Sequence, residues 1–145
     1  MKLKIDGIPL AKARHRAGRY GHYDPQDKQK KDFKICLLSE ISKNYKEASD
    51  LIQGESFSII IDFYFPLNKT ESKGKKEGKL LNLVPHTKKP DIDNLCKFFF
   101  DCANGILFKD DKMIVSLFAR KQFSDNPRTE VLITNLTTPL PEGIS

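Results

Sequence analysis

Hydrophobic and polar positions alternate along this chain with two different periods, and the switch between them outlines its elements. Residues 57–65 place Phe57, Ile59, Ile61, Phe63 and Phe65 on one side of a period-two pattern, which marks a strand with one buried face, and Pro66 ends it. Leu3 and Ile5 alternate more weakly with Lys2 and Lys4, predicting a first strand that closes in the turn Gly7-Ile8-Pro9. Asp24-Pro25 is a helix start, a capping residue followed by proline at the first helical position. From there Phe33, Cys36, Leu37, Ile41, Tyr45 and Ala48 recur at helical spacing and predict one helix reaching about Ala48. Ile35 and Leu38 lie off that stripe, as deeper burial, a partner subunit or ordinary scatter would each allow.

A second helix opens at Pro90-Asp91 and carries Ile92, Leu95, Cys96, Phe99, Ala103 and Ile106 as its apolar stripe, with Gly105 as the stop signal. Met113 to Phe123 and Thr129 to Asn135 read as two strands of a hairpin joined by the turn Ser124-Asp125-Asn126-Pro127. The mixture predicts a single α+β domain, a largely antiparallel or mixed sheet with two main helices on one face. The domain spans residues 1–136, and residues 137–145, with Pro139 and Pro141, form an extended or frayed tail.

Composition narrows the class. A chain of 145 residues, 39% hydrophobic and 30% charged, can bury a core without disulfides or structural metals. No apolar run approaches the roughly 20 residues that span a bilayer, and the first residues lack a signal peptide's apolar region, so a cytoplasmic protein with no membrane partner is expected. Cys36, Cys96 and Cys102 are odd in number and have no metal-ligand spacing, which favours small buried hydrophobes over disulfides or zinc. His15, His22 and His86 are scattered too, and read as surface or loop residues.

Charge adds a partner class. The net charge is +6, and most of the excess lies between Leu67 and Pro90, where Lys69, Lys73, Lys75, Lys76, Lys79, Lys88 and Lys89 face only Glu71 and Glu77. This stretch reads as a mobile solvated loop, which is compatible with phosphate binding because a lysine need only neutralise a phosphate and release its counterions. A second basic stretch from Lys12 to Tyr23, with Arg14, His15, Arg16 and Arg19, reads as irregular or as a short hairpin.

Against this basic background stand Asp91-Ile92-Asp93 and Asp110-Asp111. Alone, Asp91 would cap a helix, Asp93 would suit its dipole, and Lys109-Asp110-Asp111-Lys112 would pass as a charged turn. A helix from about Asp91 to Asn104 is roughly 20 Å long, and six extended steps from Gly105 cover at most about 20 Å. Asp111 can therefore return beside Asp91 and Asp93 if Ile106 to Lys109 run nearly straight, antiparallel to the helix. Three carboxylates so gathered would repel without a cation, and Mg²⁺ or Mn²⁺ with oxygen ligands is the natural remedy, suited to phosphoryl transfer. Lys97 lies one turn after Asp93 on the same face, where its ammonium could offset charge on a scissile phosphate; Asp101, a turn further, reads as an exposed partner for Lys97.

The patterns K-P-D-I-D-N-L-C-K, F-D-C-A-N-G and F-K-D-D-K-M-I-V, spanning about residues 88–121, resemble the RusA family of Holliday-junction resolvases, the crossover-junction endodeoxyribonucleases common in prophages. Lys12 to Arg16 with Gly18-Arg19-Tyr20 is more loosely similar to the basic N-terminal motif of many members. The resemblance implies a small α+β homodimer that binds four-way DNA junctions in recombination and repair and nicks two opposing strands with Mg²⁺ or Mn²⁺. It implies metal-binding catalytic aspartates at Asp91, Asp93 and Asp111, a catalytic lysine at Lys97, and DNA contacts by Lys88 and Lys89. Lys12, Arg14, Arg16, Arg19, Lys73, Lys75 and Lys76 complete the expected DNA-binding set. Asp110 competes with Asp111 as the ligand, and the lysine-rich insertion between Pro66 and Val84 is longer than in compact members.

Phe98 and Cys102, one turn apart and off the core stripe, could form a subunit contact or be buried within the same chain. Two further functions compete: a junction- or DNA-binding protein without cleavage, and a metal-dependent nuclease of flaps, forks or RNA. The intact aspartates and Lys97 count against the first.

Overall fold

A computed structural model of the protein describes residues 1–13, 16–18 and 21–136. Its centre is β4 (Phe57–Phe65), whose five alternating apolar side chains are between 0 and 6% exposed. Each such side chain contributes roughly 1.5–3 kcal/mol when removed from water, which accounts for this strand occupying the middle of the sheet. β1 (Lys2–Asp6) runs antiparallel to β6 (Arg128–Asn135), β6 runs antiparallel to β4, and β4 pairs in parallel with β5 (Ile114–Phe123). The order β1-β6-β4-β5 leaves β5 at an edge.

The predicted hairpin of the last two strands is therefore not formed. Residues 124–127 carry the chain past the end of β4, where Ser124 N–H donates to Phe65 O at 2.9 Å, and span two strand spacings, roughly 10 Å. Alternation assigned the right residues to a common face, but it carries no information about which strand lies alongside. The parallel β4–β5 pair requires a long crossover, supplied by α3 (Lys73–Leu80) and α4 (Ile92–Ala103).

The first helix is broken in two. α1 (Asp27–Ser42) ends where Ser42 Oγ donates to Ser39 O at 2.7 Å and Asn44 leaves helical geometry; α2 (Tyr45–Ile52) then buries Ala48 and Leu51. Serine and asparagine both compete with the helical backbone, and together they interrupt a stripe that apolar spacing alone would continue. Cys36 and Tyr45, assigned to that stripe, are exposed, as are Ile35 and Leu38.

α1 and α4 cover the sheet, and Phe33 of α1 meets Phe98 and Phe99 of α4 edge-on at 5.5 and 6.2 Å between ring centres. Phe98 and Cys102 are thus buried within the chain and are not free for a subunit contact. Burial pushes the Cys96 and Cys102 thiols up to about 11. The lysine-rich stretch holds a helix rather than a mobile loop. Ser72 Oγ caps α3 by accepting from Lys75 N–H, and Lys79 pairs with Glu71 while lying 4.5 Å from the centre of the Phe123 ring. In the basic N-terminal stretch, β2 (Arg16–Gly18) and β3 (Gly21–Tyr23) form a short hairpin.

Candidate active site

Asp91 occupies the capping position of α4 in extended geometry, φ −71° and ψ 143°, yet its carboxylate makes no capping hydrogen bond. Asp93 stands in the first turn, and its Oδ2 lies 3.8 Å from Lys97 Nζ. All three side chains are exposed. Asp91 and Asp93 line a cleft of about 780 Å³ together with His86, Arg120, Lys121 and Phe123.

The turn that delivers Asp91 is held from β5. Lys121 Nζ donates to Lys88 O at 2.8 Å and to Pro90 O at 3.1 Å, so one ammonium binds carbonyls on both sides of the Lys89–Pro90 bond, which is cis. Beneath it, His86 sits between Phe65 and Phe123, with ring centres 4.6 and 4.9 Å away. Burial, then the Lys121 ammonium, lowers the His86 pKa and keeps the ring neutral near pH 7.

Asp111 is elsewhere. Ile106 and Leu107 N–H both donate to Ala103 O at 3.0 Å and Gly105 N–H donates to Phe108 O at 2.7 Å, so residues 104–108 close a compact turn. The straight return of Ile106 to Lys109 does not occur, because once α4 ends the backbone finds its partners locally, helped by Gly105 at φ +77°. β5 makes the return instead, bringing Lys121, near its end, beside Pro90. Asp111 precedes β5 in a single turn of 3₁₀ helix, Asp111–Met113, and so lies at the opposite end of α4, roughly 15 Å along the helix axis from Asp91. Among the described residues no group of three or more His, Cys, Asp or Glu side chains gathers as a metal site.

The far end has its own electrostatics. Burial, then hydrogen bonding and charge from Asp110, with a smaller contribution from Asp101, raises the Asp111 pKa. Asp110 is lowered, chiefly by accepting from Lys112 N–H at 2.9 Å and then by its bond with Asp111, so the two carboxyls share out one proton preference in opposite directions. Asp101 is not the partner of Lys97: its Oδ2 lies 3.0 Å from Lys12 Nζ and 3.8 Å from Lys30 Nζ.

Of the expected DNA-binding side chains, Lys73, Lys75, Lys88 and Lys89 are exposed, whereas Lys76 is half-buried, its Nζ donating to Lys69 O at 3.2 Å. Lys12 runs beside α4, with its N–H donating to Asn94 O at 2.8 Å. Arg16 begins β2; Arg14 and Arg19 lie outside the described residues.

Lys121 went unread in the sequence. Its signal was there: on β5, Leu117, Ala119, Lys121 and Phe123 pair with Ile59, Ile61, Phe63 and Phe65, so a lysine occupies a position where the alternation calls for an apolar residue. Gln26 was missed as well, a buried amide that accepts from Ala13 N–H at 2.6 Å and donates to Ala11 O at 2.7 Å, fastening the segment that leads into the basic hairpin.

A basic α+β domain carrying paired carboxylates and a lysine at a helix start has the make-up of a phosphodiester-cleaving enzyme. The model of the family Endodeoxyribonuclease RusA matches residues 6–134, and the chain belongs to that family of DNA endonucleases. The chain is also similar to the uncharacterized protein YqaN of Bacillus subtilis (strain 168), 28% identical over 138 residues that cover 94% of this chain and 97% of that protein. Among the described residues no helix is long and apolar enough to cross a membrane.

Proposed function

We propose that this RusA-family endonuclease is a homodimer that resolves four-way DNA junctions by paired nicks, with Mg²⁺ or Mn²⁺, in DNA recombination and repair in the cytoplasm. The observation that carries this reading is the pair of exposed carboxylates at the start of α4, Asp91 uncommitted to capping and Asp93 with its Oδ2 3.8 Å from the Nζ of the exposed Lys97. Two such carboxylates fit a hard cation that keeps part of its water and takes phosphate oxygens as further ligands. Asp91 and Asp93 would hold it, and when bound it supplies polarisation of the scissile phosphate and activation of water. Lys97 places its ammonium where negative charge develops on that phosphate, and Lys73, Lys75, Lys88 and Lys89 bind the flanking backbone.

Dimerisation supplies what one chain lacks. β5 is an edge strand with Val115, Leu117 and Phe118 exposed, an apolar edge of the kind that associates. Asp111 lies before the start of β5 and the Asp91–Asp93 pair beside its end. Two β5 strands paired antiparallel about a twofold axis would therefore carry Asp111 of each copy toward Asp91 and Asp93 of the other. Such a dimer has two identical sites, as symmetric nicking of two strands demands.

The test is to incubate the protein with labelled four-way junction, fork, flap, duplex, single strand and RNA, with and without Mg²⁺ or Mn²⁺, while sedimentation reports the mass. Paired nicks on the junction by a dimer are expected. Binding without cleavage in either metal, or preferred cutting of another substrate, overturns the proposal.

A further inference from the structure

Two leucines stand exposed beside the proposed nuclease site, and nothing in the proposed mechanism uses them. Leu81 is 69% and Leu83 74% exposed, at the end of α3. They are held firmly. Leu81 N–H donates to Glu77 O at 3.0 Å, Asn82 N–H to Lys79 O at 3.1 Å and Leu83 N–H to Gly78 O at 2.8 Å, with Asn82 between them at φ +59°. This is a closed helix terminus that turns both side chains outward. Behind it, the Lys79–Glu71 pair and the packing of Lys79 on Phe123 fix α3 to the sheet.

The setting selects the partner. Asn82 and Val84 line the same cleft as Asp91 and Asp93, so the leucines flank the site of cutting. Lys73 and Lys75 are exposed on the same helix, and Lys88 and Lys89 on the turn that leads to Asp91, which suits a polyanion and disfavours a basic second copy. A polyanion that also offers apolar faces is a nucleic acid whose bases have lost a stacking neighbour, as at the branch point of an opened four-way junction. Aliphatic side chains used as wedges in DNA exploit this, entering between base steps at an unstacking cost that is lowest where stacking is already broken.

We infer that Leu81 and Leu83 form an apolar wedge that occupies the branch point of the DNA junction and presents the adjacent strand to Asp91 and Asp93. The inference rests on the junction-nuclease reading above and adds to it an element of branch-point recognition. It assigns two roles to one insertion: its lysines hold phosphates and its leucines hold the opened bases.

The test uses a four-way junction with the fluorescent base aminopurine at the branch point, read at saturating protein in Ca²⁺, with the mass of the protein followed by sedimentation. Both leucines are exposed, so the Leu81→Ser, Leu83→Ser double variant is expected to fold and to remain the same oligomer. It should lose the fluorescence rise of unstacking and cut the junction poorly, while binding duplex as the unaltered protein does. The Lys73→Ala, Lys75→Ala pair should keep the rise at saturation and lower the slope of log affinity against log salt by roughly two. An undiminished rise in the leucine variant overturns the wedge, and so does a change in its oligomeric mass, which would make the patch a subunit contact. Failure of the unaltered protein to bind junctions overturns the functional reading itself.

Discussion

The two ends of α4 carry similar acids in opposite circumstances. At the start, Asp91 and Asp93 are exposed, one making no capping bond and the other 3.8 Å from the exposed Lys97. At the far end, Asp101 is engaged by Lys12 and Lys30, and Asp110 and Asp111 are bound to each other. A carboxylate already satisfied by lysines gains little from a cation, whereas an open pair gains the relief of its own repulsion. On the proposed reading, the start of α4 is the end that receives a ligand. The far end is built mainly to hold the N-terminal segment, with Asp111 the member that a second copy could recruit.

The sharpest way to break this comparison is to disable each end separately. Asp93→Asn and Asp111→Asn should each bring junction cutting to background in Mg²⁺ while junction binding persists. A mixture exchanged into heterodimers should recover nicking, because one of the two composite sites then keeps all its acids. No recovery in a gel assay of the mixture of two inactive variants would mean that Asp111 acts within its own chain, and an active Asp111→Asn protein would mean that it does not act at all.

Lys97→Met should reduce turnover by about a hundredfold with little change in junction affinity, the size of effect found when a donor to developing charge is removed. Single-turnover rates at saturating enzyme measure it. The matching change at the far end, Lys12→Met, should affect binding before turnover.

Lys121→Met frees the turn before Asp91 and should lower turnover roughly tenfold to a hundredfold, since small misplacements of reacting groups cost that much. Lys121→Arg should restore part of the loss. Hydrogen exchange of residues 86–91 should quicken in the Met variant and not in the Arg variant, which separates positioning of the turn from general destabilisation.

The smallest effect concerns α3. The Lys79 hydrogen bond holds the Glu71 carboxyl below its usual range. Its stabilisation is therefore fully present above the ordinary carboxylate pKa and is lost as pH falls through the lowered value. Proteolysis within residues 66–85 should quicken in acid, and Glu71→Gln should show the same susceptibility already at neutral pH.

Much of this was legible in the chain. Period-two alternation located β4 with its ends, the apolar stripe from Ile92 located α4, Gly105 marked its stop, and the spacing of Asp91, Asp93 and Lys97 put all three at one helix start. Those are local properties, set by dihedral preferences and by which side chains share a face within one element. Partner choice between elements is set by global packing, and there the sequence misled. The last two strands looked like a hairpin until β4, the most apolar strand, took the place between them. Ile106 to Lys109 looked able to run straight back until backbone groups freed at the helix end paired at once with their neighbours. Ser42 and Asn44 broke a helix whose apolar spacing continued through them. Tertiary structure alone decided that β5, not the loop, returns along α4, that Lys121 therefore reaches the turn before Asp91, and that Asp111 is left at the other end. The physical reason is that side-chain periodicity is a property of one strand or helix, whereas the meeting of distant charges depends on how all of them share a single core.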